Sequence, residues 1–230
     1  GLRQVKSRYV VFIDNDVLVS PGWLEGLVRC AEETGAWAVG PLYLMGEPER
    51  QIIHMAGGLS HIKEEQGKRI LYVKDHFAGM RLTDAPVPLR RQPCELVEFH
   101  CMLVRAEVFE RLGSLDEKLL SVREQDDFCL AARELGGSIY LEPHAVVTYL
   151  SPPPLALSDF SFYRLRWSEA WIKASLAHFH NKWNLDMDED DPHYNWLWYR
   201  RSLFFWQFTR PLRPLRKAIR RVFNENFTRP

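Results

Sequence analysis

The sequence predicts an α/β protein: a mixed, mainly parallel sheet flanked by helices over residues 1–150, then a helical C-terminal extension over 151–230. Three observations predict it. Tyr9–Ile13 is an unbroken β-branched and aromatic run, the pattern of a strand buried on both faces of a parallel sheet. Strand-like and helix-like segments then alternate as far as Leu150. Beyond Ser151-Pro152-Pro153-Pro154, where proline cannot donate to a ladder, the pattern turns helical and aromatic-rich.

The elements follow in order. The first strand stops at Asp14-Asn15-Asp16. Ser20-Pro21 predicts a helix start, with serine as the cap and proline at the first helical position. Trp23, Leu24, Leu27, Val28 and Ala31 give that helix an apolar stripe, and Gly35 ends it. A strand is expected over Ala36–Val39. From Pro41 to Pro93, the glycines and prolines (Gly57, Gly58, Gly67, Gly79, Pro86, Pro88) predict long loops and short strands, where specificity-setting insertions are common. Leu96–Val104 reads as a strand and Ala106–Leu112 as a helix closed by Gly113. A second helix is expected from Glu124 to Leu135, closed by Gly136-Gly137, with short strands at Ser138–Leu141 and Ala145–Leu150. Phe160, Tyr163, Leu165, Trp167, Trp171 and Leu176 mark a long helical segment, in which Trp167 and Trp171 fall one turn apart.

With 46% apolar and 26% charged residues, the composition is that of an ordinary folded protein. The formal net charge of zero hides an asymmetry. An acidic cluster at Asp186–Asp191 precedes a stretch in which nine basic residues, Arg200 to Arg229, face one acid, Glu225. Leu215, Ile219, Val222 and Phe223 share one helical face there, with Arg216, Lys217, Arg220 and Arg221 around the other. Residues 194–230 therefore read as a basic, aromatic element suited to an anionic membrane surface, or as a helix packed on the domain with its arginines in water. No nucleic-acid motif accompanies the charge, so no nucleic-acid partner is expected. No stretch approaches the roughly 20 apolar residues that span a bilayer, and Tyr9–Ile13 is too short for a signal-peptide core. Cys30, Cys94, Cys101 and Cys129 lack metal-ligand spacing. The expected location is cytoplasmic, peripheral at the inner face of the membrane.

Two acidic groups carry the chemistry. In an extended backbone, residues two apart point the same way, so Asp14 and Asp16 can converge on a hard divalent cation, Mn²⁺ or Mg²⁺, outside the carboxyl end of a strand. The competing reading is a capped turn. Glu124-Gln125-Asp126-Asp127 opens a helix, where acids complement the dipole but could also present a general base. His100 suits an acceptor or phosphate contact, or a hydrogen-bonded core position. Arg123 suits a phosphate or a neighbouring carboxylate, and Trp167 a sugar ring or a packed stripe. His54 and His61 carry no assignment.

Taken together, Tyr9–Val19 with Pro21–Leu24, Val97–Phe109, and Leu112–Glu117 leading to Glu124–Leu130 and Leu141–Tyr149 resemble the family 2 glycosyltransferases of the GT-A fold. The resemblance implies that Asp14, Asn15 and Asp16 hold the sugar nucleotide and its metal, with Asp16 the direct ligand. It also implies inverting transfer of a sugar from a nucleotide-diphosphate donor to a carbohydrate or lipid-linked acceptor. Departures are visible. The family's Glu-Asp pair reads Glu124-Gln125, so the base falls to Glu124, Asp126 or Asp127; Asp127 lies one turn from Glu124 and can assist it. The metal-binding histidine that many relatives carry at the end of the last strand is replaced by Tyr149, and His144 reads as a turn residue. The family's first βα units are expected upstream of Gly1, so residues 1–150 read as a partial catalytic domain. A non-catalytic sugar- or partner-binding relative, or a membrane-surface module, are the competing readings.

Overall fold

The computed structural model describes residues 2–150, 156–186, 193 and 197–202. The amphipathic face at 215–223 and the acidic positions 188–191 lie outside the described residues. In chain order the elements are β1 (Tyr9–Ile13), β2 (Val17–Val19), α1 (Trp23–Thr34), β3 (Ala38–Met45), β4 (Ile52–Met55), β5 (Gly58–Glu65), β6 (Lys68–Asp75), β7 (Gln92–Cys94), β8 (Cys101–Arg105), α2 (Val108–Leu112), α3 (Glu124–Glu134), β9 (Ile139–Tyr149), α4 (Phe160–Arg166) and α5 (Glu169–Trp183). The contacts divide the chain into two units. One is Gly1–Pro152 with Ala174–Asp188, the other Pro153–Lys173 with Glu189–Pro230. The unit that holds the sheet therefore takes in the second half of α5 as well as residues 1–150.

The sheet runs β1-β8-β3-β9-β2, with β4 also on β3 and β7 also on β9. It is mixed and helix-flanked, as the sequence predicts, but not mainly parallel. Among the described residues, β3–β9 is the parallel pair, and the other pairings are antiparallel. The apolar run of β1 suits a strand buried on both faces of a mainly parallel sheet; here β1 ends the strand order and pairs antiparallel with β8.

Local chemistry explains the other departures. Ser20 does not cap α1, because its backbone N–H donates to Val146 O (3.0 Å) and its Oγ accepts from Val146 N (3.3 Å). That ties Ser20 to β9, and α1 starts three residues later behind Gly22 in the left-handed region (φ 75). The end of α1 is as expected: Gly35 N–H donates to Ala31 O (3.0 Å). Buried Arg105 also donates to Ala31 O, and to Ala36 O (2.9 Å), placing a cation at the helix C-terminus. Glycines and prolines between Pro41 and Pro93 do not prevent a hairpin of two eight-residue strands, β5–β6. The two expected short strands at 138–150 are one strand, β9, interrupted by a bulge: Pro41 pairs with Glu142 but Leu42 with Val146. Pro143 supplies no ladder donor there, and the buried Glu142 carboxylate takes over, accepting from His144 N (3.0 Å) and facing its Nδ1 (2.9 Å). The helix expected across Trp167 and Trp171 also breaks. Ser168 Oγ accepts from Trp171 N (3.2 Å) as the chain starts α5.

The main core packs α1, α2 and α3 on the sheet through Leu27, Ala31, Tyr43, Met102, Leu103 and Phe128. A second cluster joins Leu130 of α3 to Phe179, Trp183 and Leu185. Burial pushes the thiols of Cys94 and Cys101 up to about 12 and that of Cys30 to about 11, so these cysteines are small core residues with no thiolate chemistry at neutral pH.

Asp116, between α2 and α3, faces His178 Nε2 (2.9 Å) and Lys182 Nζ (3.0 Å) of α5 and accepts from Lys118 N (3.1 Å). Burial alone would raise its pKa, but the His178, Lys182 and Lys118 hydrogen bonds outweigh it and hold the carboxyl near 2, below the ordinary 3.8. Because the folded value is the lower one, this stabilisation is complete above about pH 4 and fades as pH falls through about 2. Asp116→Asn is expected to cost about 2 kcal/mol at neutral pH and to flatten the stability profile across that window, read from urea midpoints at several pH values.

Candidate active site

Because β8 runs antiparallel to both β1 and β3, β1 points the same way as β3 and β9. The carboxyl ends of β1 and β9 and the amino end of β8 thus share one sheet edge, the edge at which α/β sheets bind ligands. Asp14 leaves β1 there, and the register that pairs Ile13 with Cys101 sets it opposite His100. Its N–H donates to His100 O (3.1 Å), and its Oδ2 lies 2.6 Å from His100 Nδ1. Asn15 and Asp16 form a turn, so the extended-strand alternation does not apply to them. Asp16 is tied by its carbonyl to Leu150 N (2.9 Å), next to β9.

Around this pair the structure gathers three residues that the sequence reading did not assign to the site. Tyr149, at the end of β9, stacks on His100 with ring centroids 4.5 Å apart at 22°. His54 lies at the register shift of β4, where Tyr43 pairs with Met55 and Leu44 with Ile53, leaving His54 as the extra residue. Such bulges re-aim side chains, and His54 Nε2 comes 2.9 Å from Glu98 Oε2. His100 Nε2 stands 3.9 Å from the same Glu98 oxygen. Buried Tyr43 holds the loop that carries both: its hydroxyl accepts from Glu98 N (3.1 Å) and contacts Cys101 O (2.8 Å). Burial would raise the Glu98 carboxyl, but His54 and His100 reverse this and hold it below the ordinary carboxylate value. Burial would likewise lower His54, and Glu98 raises it on balance. The Glu98-x-His100 spacing, two residues apart like Asp14 and Asp16, was the available sequence signal. His54 had none, because a bulge is not legible from composition.

At the start of α3, Arg123 adopts φ 73, a left-handed conformation costly for a non-glycine residue. Its guanidinium is buried, 3.5 Å from Asp126 Oδ2 and 5.8 Å from the Phe179 ring centroid. Asp126 also accepts from Ser60 Oγ (2.9 Å) of the β5–β6 hairpin. Asp127 accepts from Trp183 Nε1 (2.8 Å) and pairs with Lys182 Nζ (2.8 Å). Glu124, the first residue of the helix, is half-buried. His144 is engaged with Glu142 at the β9 bulge.

In the second unit, Trp167 is 9% exposed, against Tyr163 and the guanidinium groups of Arg166 and Arg200. It lines an aromatic cleft of about 530 Å³ with Phe160, Tyr163, Trp198 and Arg201. In the sheet unit, a cleft of about 580 Å³ lies among Leu2, Val5, Val10, Ala106 and Phe109, at the opposite end of the β1–β8 pair from Asp14 and His100. No helix among the described residues is long and apolar enough to cross a membrane.

Comparison with known proteins adds the family. The uncharacterized protein y4gI of Sinorhizobium fredii (strain NBRC 101917 / NGR234) is 27% identical over 202 residues, covering 85% of this chain and 20% of its own length. The chain thus spans about a fifth of that curated relative. Among solved structures, GalNAc-T7 with UDP, GalNAc and Mn²⁺ is 15% identical, with a TM-score of 0.45 over 80% of this chain and 40% of that one. S. aureus TarS 1-349 is 13% identical, with a TM-score of 0.37 over 90% of this chain and 49% of that one. The family profile described as Glycosyltransferase like family 2 matches residues 1–170. With about three quarters of its residues inside that match, the chain belongs to the glycosyltransferase family 2.

Proposed function

We propose that this chain moves a sugar, with inversion, from a nucleotide-diphosphate donor to a hydroxyl of a carbohydrate or lipid-linked acceptor. The observation that carries this reading is the polar cluster at the carboxyl ends of β1 and β9, in a chain of this family. Asp16, at the turn beside β9, would hold a divalent ion, Mn²⁺ or Mg²⁺, for the donor's diphosphate, with Asn15 next to it. Asp14 acts through His100, with which it is already paired. When bound, the ion neutralises charge on the departing diphosphate. Glu124 takes the proton of the acceptor hydroxyl as that oxygen bonds the anomeric carbon and the bond from that carbon to the diphosphate oxygen breaks. Asp126 and Asp127 are held by Ser60, Arg123, Lys182 and Trp183, and they position the start of α3 rather than exchange the proton. The anionic-surface contact of 194–230, the sugar contact of Trp167 and a location at the inner face of the membrane remain part of this reading on the sequence pattern.

The test is Asp16→Ala. With Mn²⁺ saturating, its affinity for nucleoside diphosphates is expected to fall about tenfold or more, a loss of about 1.4 kcal/mol or greater, with an unchanged circular dichroism spectrum. Equal affinity in the variant and the wild type removes Asp16 from the donor site.

A further inference from the structure

We infer that His54, Glu98 and His100 form a transition-metal site of two imidazoles and one carboxylate, loaded before any nucleotide binds and selective against Mg²⁺. This deepens the glycosyl-transfer reading by naming the metal class and ligands in addition to Asp16, and it relies on that reading for its role.

Two observations carry it. One ligand atom from each residue lies within 4.8 Å of the other two. His54 Nε2 and Glu98 Oε2 stand 2.9 Å apart, both of them buried atoms. Ligand atoms that share an ion at about 2.0–2.2 Å lie about 3–3.5 Å apart, so a small outward adjustment of this pair seats an ion between imidazole and carboxylate.

The surroundings are those of ligating histidines. His100 has its Nδ1 2.6 Å from Asp14 Oδ2, which leaves Nε2, the nitrogen facing Glu98, to bind. A carboxylate on the far ring nitrogen fixes tautomer and ring orientation for metal-bound imidazole. Tyr149 stacks on the ring and stiffens it further. His54 is carried by the bulge in β4, and Glu98 by a loop pinned through Tyr43. Three elements are thus rigidly aimed at one point. Asp14 becomes a positioning residue for His100.

Imidazole suits zinc, copper, iron and nickel, whereas Mg²⁺ prefers an all-oxygen shell with retained waters. The experiment is a titration of tag-free, chelator-treated chain with Zn²⁺, Mn²⁺, Co²⁺ and Mg²⁺ in the absence of nucleotide. It is followed by calorimetry and, for Co²⁺, by visible absorption. One equivalent of Zn²⁺ or Co²⁺ is expected to bind, with Mg²⁺ in 100-fold excess failing to displace it. His54→Ala and Glu98→Gln are each expected to weaken Zn²⁺ binding at least tenfold and change the Co²⁺ spectrum. Asp14→Asn is expected to weaken it about 10–100-fold. Should Glu98→Gln unfold, the half-exposed His54 variant decides. Wild-type affinity in His54→Ala, displacement by Mg²⁺, or no metal binding without nucleotide overturns the inference. Nucleotide binding that survives such a result leaves the transfer reading intact, and metal binding without nucleotide affinity removes that reading instead.

Discussion

Glu124→Gln is expected to lower turnover by about 10²–10⁴-fold, the usual contribution of a general base, while leaving nucleoside-diphosphate affinity unchanged. The other acids at the start of α3 serve the packing of the fold. Asp127 accepts from the Trp183 indole and Lys182, and Asp126 from Ser60 beside Arg123. Proton transfer at either would compete with hydrogen bonds that dock α5 and the β5–β6 hairpin. Asp127→Asn should therefore register mainly as a lower melting temperature, because Lys182 loses its buried counter-charge. Released nucleoside diphosphate measures the rate, and thermal unfolding measures the stability. Full turnover in Glu124→Gln together with an inactive, well-folded Asp127→Asn would move the base to Asp127.

The largest stability effect is expected at Arg91. Its Nε donates to Glu142 Oε2 (2.5 Å), and its Nη1 also reaches Glu33 on α1. Glu142 is fully buried at the β9 bulge. Burial would raise its carboxyl, but His144 and Arg91 more than offset this and hold it below the ordinary value. Arg91→Met leaves that charge without its cation, a change that typically costs about 3–5 kcal/mol out of a total of about 5–15 kcal/mol. The double variant Arg91→Met with Glu142→Gln should recover much of the loss, because the amide carbonyl can still accept from His144 N without carrying a buried charge. Urea midpoints for the two single variants and the double variant measure this coupling. A double variant no more stable than Arg91→Met would show that the bulge, rather than the ion pair, carries the stability.

What was legible in the sequence was what a local pattern can encode. The β1 run, the stripe and Gly35 terminus of α1, and the acid-led α3 emerge within a residue or two of their expected places, since strand runs and helix stripes depend on nearest neighbours. Ser20 was misread because its capping atoms are taken by Val146, 126 residues away in the chain. Parallel pairing was overestimated because an apolar run reports burial and says nothing about the direction of its neighbour. The β9 bulge reads as a break in the sequence, since Glu142-Pro143-His144 looks like a turn until Glu142 is seen to satisfy it. The site divided in the same way. Asp14 and His100 were each singled out, but their partnership comes from the β1–β8 register, and His54 enters through an irregularity that no spacing rule describes.

The edge built by Asp14, Asp16, His100 and Tyr149 is proposed to receive a nucleotide-diphosphate sugar. Calorimetric titration of uridine, guanosine and adenosine diphosphates into the Mn²⁺-saturated chain, repeated without the ion, tests it most directly. The account predicts saturable one-to-one binding of at least one of them, lost when Mn²⁺ is withdrawn. A folded, metal-loaded chain with no saturable heat for any of the three, or with affinity indifferent to the ion, would contradict it.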